Sequence, residues 1–331
     1  MTMHRATFVA LTAAAAACPQ YGRAQSDADP ATSSAAPALR VLLGRGDAEP
    51  DPSGSGFVFN GRRFRGNFAR LSDGSIVNVV DLEQYLCAVV PHEMPSAWPA
   101  AALAAQAVCA RTYVLQRSDP RRDYDVVPSE IDQVYGGISG ESPAARNAVS
   151  ATAGEVLRFG AGYAQVAYSS CCGGHTEASQ DAWGTAYPYL GGVVCPNCAQ
   201  SPNYHWTSDI ALDDVAVRLG AQLPAGPMQG MRVAEVDASG RARTIELRSA
   251  GGGTLIKGSV FRLALGPRVL RSLLITDMRV EATAPVVTIS GAGLGHGVGM
   301  CQWGARGLAQ GGRNVRDILA FYFPGTQLGR D

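Results

Sequence analysis

A chain of 331 residues with 28 basic and 28 acidic side chains has a formal net charge of zero, which argues against an electrostatically driven nucleic-acid binder. Only 17% of its residues are charged, whereas 39 are glycine and 19 proline. Such a composition suits a loop-rich fold of one large or two modest domains. No apolar run beyond the N-terminal region approaches the length that spans a membrane.

The first 25 residues have the order of an export signal. His4 and Arg5 give a basic start, Thr7 to Cys18 is apolar, and Gly22-Arg23-Ala24 offers a cleavage site before Gln25. Cys18 is a candidate for lipid attachment, although Ala15 stands where leucine is usual. Residues 26–39, rich in Ser, Ala, Asp and Pro, have linker composition. Of eight cysteines, seven remain after cleavage. In an exported chain these form disulfides or bind metal, and an odd number leaves at least one outside any disulfide.

From Arg40 the pattern predicts strands: Arg40 to Leu43, then Phe57, Phe59 and Phe64 alternating around the Asn60-Gly61 hairpin signal. Ser72-Asp73-Gly74 turns into Ile76, Val77, Val79 and Val80. This small antiparallel sheet leads into Asp81 to Leu115, which the spacing predicts as helix, short break, helix. Asp81 with Gln84 gives a capping-box pattern, and Leu82, Tyr85, Leu86, Val89 and Val90 recur at helical spacing. Pro91 and Pro95 bracket the break, and Pro99 suits the first turn of an alanine-rich second helix. Glu93 falls in the break beside Met94 and Trp98. Desolvation there would raise its pKa toward that of a general acid. The structural alternative is that Glu93 caps the second helix or pairs with Arg111.

Tyr124 to Val127, Val156 to Phe159 and Ala164 to Tyr168 are predicted strands, and Ala144 to Val149 a short helix. A dense polar segment follows from Ser169 to Trp206. A Cys-x-x-His half and a Cys-x-x-Cys half, about twenty residues apart, have the spacing of a zinc site. Cys172, His175, Cys195 and Cys198 would supply four ligands, with Cys171 to spare. A full protein set makes such a metal structural, because no position remains for water. Disulfides are the alternative, as is a redox pair at Cys195-Pro196-Asn197-Cys198, though no βαβ pattern surrounds it.

Asp209 to Leu219 has amphipathic helical spacing, and about 209–285 is a strand-rich subdomain with a helix at Ser259 to Leu265. Val286 to Ile289 is the last predicted strand. It feeds the glycine-rich run Gly291 to Gly312, where backbone can pass close to another surface. No lysine follows at the place a phosphate-cradling loop requires. His296, Gln302 and Trp303 could meet a sugar or peptide there; otherwise His296 is a core histidine and Trp303 packing. Val315 to Tyr322 is a closing helix. The whole is predicted as α+β: a central helical pair carrying Glu93, packed with antiparallel strands from both ends of the chain.

Taken together the motifs resemble the SpoIID/LytB family of peptidoglycan proteins over Arg40 to Leu328. They are HEMPSAWPAAALAAQAVCARTY from His92, Gln133-Val134-Tyr135-x-Gly137, Gly173-Gly174-x-Thr176, Trp183-Gly184, Pro188-Tyr189-Leu190, GLGHGVGMCQWGA from Gly293 and Phe323-Pro324-Gly325-Thr326. The resemblance implies one catalytic domain over 40–331 and a lytic transglycosylase that cleaves between N-acetylmuramic acid and N-acetylglucosamine. Glu93 matches the family's single acid/base. One carboxylate suffices where the substrate's own 6-hydroxyl is the nucleophile, whereas a hydrolase needs a second; Asp132 and Glu177 are the acids near other motifs. Arg111 matches an arginine that orients the acid or forms a structural pair. Gln133, Tyr135, Thr176, Trp183, His296, Gln302 and Trp303 match positions expected around the groove. The Cys/His set, and with it one structural zinc, belongs to some members only. Also implied are glycan strands stripped of stem peptides as substrate, an amidase as functional partner, and a place in the periplasm or cell envelope. A non-catalytic, glycan-binding amidase enhancer lies within the family's range. Two departures stand out: Ala104 replaces a usual lysine and Cys301 a usual serine.

Overall fold

The computed structural model describes residues 38–280 and 285–331. The export segment, Cys18 and most of the linker lie outside the described residues. Ala38 and Leu39, assigned to the linker from composition, open a strand instead, Ala38–Arg45.

The architecture is α+β. Strand Ala38–Arg45 pairs antiparallel with Ser75–Asp81, which also pairs with Asn67–Arg70. Asp81 ends this sheet and caps helix α1 (Leu82–Glu93), its side chain accepting from the Gln84 amide at 3.0 Å. The helix does not stop at Pro91. Proline lacks one amide, but it sits in the last turn, so only one bond is lost. The Met94 amide still reaches the Val90 carbonyl at 2.9 Å. Glu93 therefore belongs to the last turn of α1 rather than to the break after it.

Helix α2 (Ala100–Arg117) follows, with Pro99 at its cap position. Its Ala102, Ala105, Ala107 and Ala110 are fully buried, small enough for neighbouring elements to approach closely. Among the described residues the further α-helices are α3 (Pro143–Ala151), α4 (Ser179–Trp183), α5 (Leu212–Leu219), α6 (Gly258–Leu265), α7 (Gln302–Gln310) and α8 (Val315–Tyr322). Helices α1, α3, α7 and α8 all pack on α2. Tyr85, Leu86, Val89 and Val90 of α1 lie in the same core. Each such large apolar side chain contributes about 1.5–3 kcal/mol on burial.

Strands from the far end of the chain close around this pair. Gln327–Arg330 runs antiparallel to Glu155–Phe159. Met300–Cys301 pairs with Tyr168–Ser169 in parallel, against the antiparallel expectation. Tyr124 to Val127 is not a strand and touches Val41 through a single bridge at Val126. Of Ala164 to Tyr168, only Tyr168 enters a strand.

Trp206–Ala211 pairs with Val286–Gly291, which pairs in turn with Ile275–Val280. Because Asp209, Ile210 and Ala211 are spent in that ladder, the helix expected from Asp209 begins only at Leu212. Between them, Met228–Val236, Ala242–Ser249 and Gly252–Lys257 form an antiparallel meander. Trp206, Ile245, Phe261 and Ile289 belong to a second hydrophobic cluster.

Candidate active site

Glu93 projects from the end of α1 toward segments far away in sequence. Its Oε1 lies 3.4 Å from the Val134 amide and its Oε2 lies 3.5 Å from Gln302 Nε2. Both contacts are long, so neither holds the carboxyl tightly in its charged form. Burial raises the Glu93 pKa, and the two donors offset it only in part. The like charge of Glu130, an exposed residue on the loop before Gln133, raises it further. A partly desolvated carboxyl of this kind can hold a proton and give it to a leaving oxygen.

Gln302 owes its position to α7, whose first residue it is. Its Nε2 also approaches Gln106 Oε1 at 3.3 Å. Gln106 is completely buried on α2 and its own Nε2 has no hydrogen-bond partner. The sequence reading missed Gln106, although it lies in the stretch Leu103-Ala104-Ala105-Gln106 where the lysine departure was noticed. Ala104 itself is buried.

The other expected groove residues divide. Arg111 is not at Glu93: its guanidinium pairs with both Glu83 oxygens at 2.7 and 2.6 Å and donates to the Glu155 carbonyl at 3.0 Å. Glu83, in the first turn of α1, lies at the opposite end of the helix from Glu93 and takes the arginine of α2. Gln133 is buried between the Tyr85 hydroxyl at 3.1 Å and the Tyr168 hydroxyl at 3.0 Å. Its neighbour Val134 supplies the amide at Glu93. Tyr135 packs on Tyr85 and Phe64 and donates its hydroxyl to Asn78 Oδ1 at 2.8 Å. Thr176 is buried, its hydroxyl oxygen accepting from the Val193 amide at 2.7 Å. Gln133 and Tyr135 thus both contact Tyr85 of α1, the helix that carries Glu93.

Trp183 remains 47% exposed and its ring lies 5.5 Å from that of His296. His296 accepts from the Val298 amide through Nδ1 at 3.0 Å. Burial, with Arg262 and Arg241 nearby, pushes its pKa down to about 4, so it is neutral at physiological pH. Trp303, beside Gln302, meets Trp98 edge-on at 5.0 Å, and Arg306 lies over both rings. Trp98 stands five residues after Glu93 in the chain and Trp303 directly follows Gln302, which reaches Glu93; both rings are half-buried. Each ring offers a large apolar face with a polar N–H at its edge, a surface suited to partners that are apolar on one side and wet on the other. Of the two further acids near the motifs, Asp132 is engaged by the Tyr113 hydroxyl and the Val127 amide, and Glu177 by Arg241 at 3.1 Å.

The sulfur-rich segment forms a different group from the one its spacing suggested. Cys172, Cys195 and Cys198 converge with Cys301, all four sulfurs lying within 4.8 Å of one another and all four residues buried. His175 is not among them. Its Nδ1 donates to the Thr176 carbonyl at 2.6 Å and its ring lies against Gly192. The bridge between His175 and Val194 fixes that orientation. Cys301 arrives on the parallel strand pair with Tyr168–Ser169, which spacing within one segment could not reveal.

Comparison with known proteins gives the same bearing over most of the chain. The family described as SpoIID, stage II sporulation protein, matches residues 72–159. An uncharacterized protein of Brachyspira hyodysenteriae is 34% identical over 280 residues, covering 82% of this chain and 74% of that one. Stage II sporulation protein D of Bacillus amyloliquefaciens is 32% identical over 276 residues, 78% of this chain and 77% of that protein. The amidase enhancer of Bacillus subtilis is 32% identical over 289 residues, 72% of this chain but 39% of the enhancer.

Proposed function

This chain belongs to the stage II sporulation protein D (SpoIID) family, and on that premise we propose that it is a lytic transglycosylase of the bacterial cell wall. Its substrate on this reading is the glycan strand of peptidoglycan, stripped of stem peptides. Glu93 protonates the glycosidic oxygen between N-acetylmuramic acid and N-acetylglucosamine as the bond to C1 breaks. The resulting carboxylate then takes the proton from the muramic 6-hydroxyl, whose oxygen bonds to C1 and closes the anhydro ring. No water enters, and Glu93 ends the cycle protonated.

The observation that carries this reading is the setting of Glu93. It is one carboxyl, raised in pKa by burial and held by two long contacts, one of them from Gln302, the neighbour of Trp303. The other acids near the family motifs, Asp132 and Glu177, are committed elsewhere. Export to the periplasm or cell envelope follows from such a substrate.

The similarity to an amidase enhancer favours a second reading. On that reading the groove grips denuded glycan without cutting it and stimulates an N-acetylmuramoyl-L-alanine amidase. Digestion of stem-peptide-free strands by wild type and Glu93→Gln, read by mass spectrometry, separates the two. Anhydro-muramyl ends from wild type alone support the transglycosylase. Reducing ends would mean hydrolysis. Binding without cleavage by either protein would favour the enhancer.

A further inference from the structure

We infer that Cys172, Cys195, Cys198 and Cys301 form a four-thiolate site for one zinc ion, and that this ion anchors the start of α7. The first ground is geometry. Zinc–sulfur bonds of about 2.3 Å put the sulfurs of a tetrahedral site about 3.8 Å apart. Cys172 and Cys198 have their sulfurs 3.7 Å apart, and the whole set fits within 4.8 Å. A disulfide would need about 2.05 Å.

The second ground is the shell around the sulfurs. Cys301 Sγ accepts from the Cys172 amide at 3.2 Å and the Gly304 amide at 3.3 Å. Cys195 Sγ lies 3.1 Å from the Tyr322 hydroxyl. Hydrogen-bond donors directed at sulfur stabilise thiolates and orient them as ligands. Gly304 is required here, since a Cβ at that position would collide with Cys195 Sγ and the Tyr322 hydroxyl. Four protein ligands leave no open position, so the ion is structural.

The third ground is place in the fold. Cys301 caps α7, and the next residue is Gln302, which reaches Glu93. The ion would tie two loops, Cys172 and Cys195 to Cys198, to the helix that presents Gln302. The serine-to-cysteine departure then completes a ligand set rather than altering contact with substrate.

The test uses the purified full chain and no glycan, so its failure would leave the transglycosylase reading untouched. Metal analysis of wild type should give one zinc per chain, and zinc-edge X-ray absorption should give a shell of four sulfurs. Cys301→Ser, which removes one thiolate ligand, should leave zinc content well below one per chain. His175→Ala and Cys171→Ser should keep full occupancy. Chelation of wild type should accelerate amide exchange at 302–305 more than in α5. A shell of three sulfurs and one nitrogen, lost in His175→Ala, would overturn the assignment in favour of the histidine set. Absence of metal, with Cys172–Cys198 or Cys195–Cys198 disulfides found by mass spectrometry, would overturn it altogether. Unchanged exchange at 302–305 after zinc loss would overturn the anchoring role. The absorption measurement needs no variant, so misfolding of Cys301→Ser would not blunt the test.

Discussion

Gln302 bridges Glu93 and Gln106: one amide nitrogen stands 3.5 Å from the carboxyl and 3.3 Å from the buried glutamine oxygen. A donor at this point favours the charged carboxylate and so opposes the effect of burial on Glu93. Gln302→Ala should therefore raise the Glu93 pKa further. The acid form is needed in the first step, so kcat/KM falls as pH rises through that pKa, and the variant's alkaline limb should lie at higher pH. The loss in kcat/KM at neutral pH should be roughly tenfold, near the low end for a hydrogen bond to a charged group. A pH–rate profile on denuded glycan checks both.

Burial of Glu93 also has a stability signature. The unfolded chain ionises at the ordinary carboxyl value, while the folded chain holds its proton to higher pH. Between the two values the unfolded state binds fewer protons, so this group's contribution to stability falls as pH rises through that window. Glu93→Gln removes the dependence. It should melt at the same or a higher temperature than wild type at neutral pH, with the gap closing below the ordinary value of about 4, while product formation drops by on the order of 10² to 10⁴. Melting curves across pH read the first effect. A variant that is less stable at neutral pH than at acid pH, relative to wild type, would contradict it.

Glu130 is the like charge that raises Glu93. Glu130→Gln should move the alkaline limb to lower pH and leave anhydro-muramyl ends as the product. If cleavage were abolished, Glu130 would have to be counted as a second catalytic carboxylate.

Arg111 is 1% exposed and its partner Glu83 30%. Breaking a buried pair costs about 3–5 kcal/mol, and partial exposure of Glu83 places Arg111→Ala at the lower end. Urea denaturation should show that loss. The folded fraction should keep the wild-type pH profile, because the guanidinium charge is not at Glu93.

Removing the aromatic pair tests the groove. Trp98→Ala with Trp303→Ala should raise KM about tenfold with a smaller change in kcat. Binding to glycan measured in the Glu93→Gln background should weaken in parallel.

The helical pair was legible because its signals are local: a cap at Asp81, apolar spacing in α1, alanines in α2. Pro91 misled, since proline marks a boundary only on average and the last turn tolerates it. Helix α7 was hidden because Gly304 and Gly307 have loop composition. Their smallness answers to contacts made across the fold, with Cys195 and Tyr322 at one and Asn197 at the other. The same cause hid Cys301, which joins a set more than a hundred residues before it, and Arg111, whose choice of Glu83 over Glu93 depends on how two helices face each other.

Trp206 and Gly291 are ladder partners, so the chain leaves for its strand-rich excursion and returns at one spot. By topology the excursion is a graft, replaceable by a short turn. Arg241 makes it indispensable in another sense. Reaching out of the excursion, it donates to the carbonyls of His175 at 3.0 Å and Cys172 at 2.8 Å and lies beside Glu177, whose pKa burial raises to about 8 even so. A deletion that spared every strand of the parent fold would strip these groups of the guanidinium that holds them. Glu177, which burial already pushes toward its neutral form, would lose the charge that opposes that push, and the loop bearing Cys172 would lose its keystone. Lineages that shorten this excursion should therefore change Glu177 at the same time.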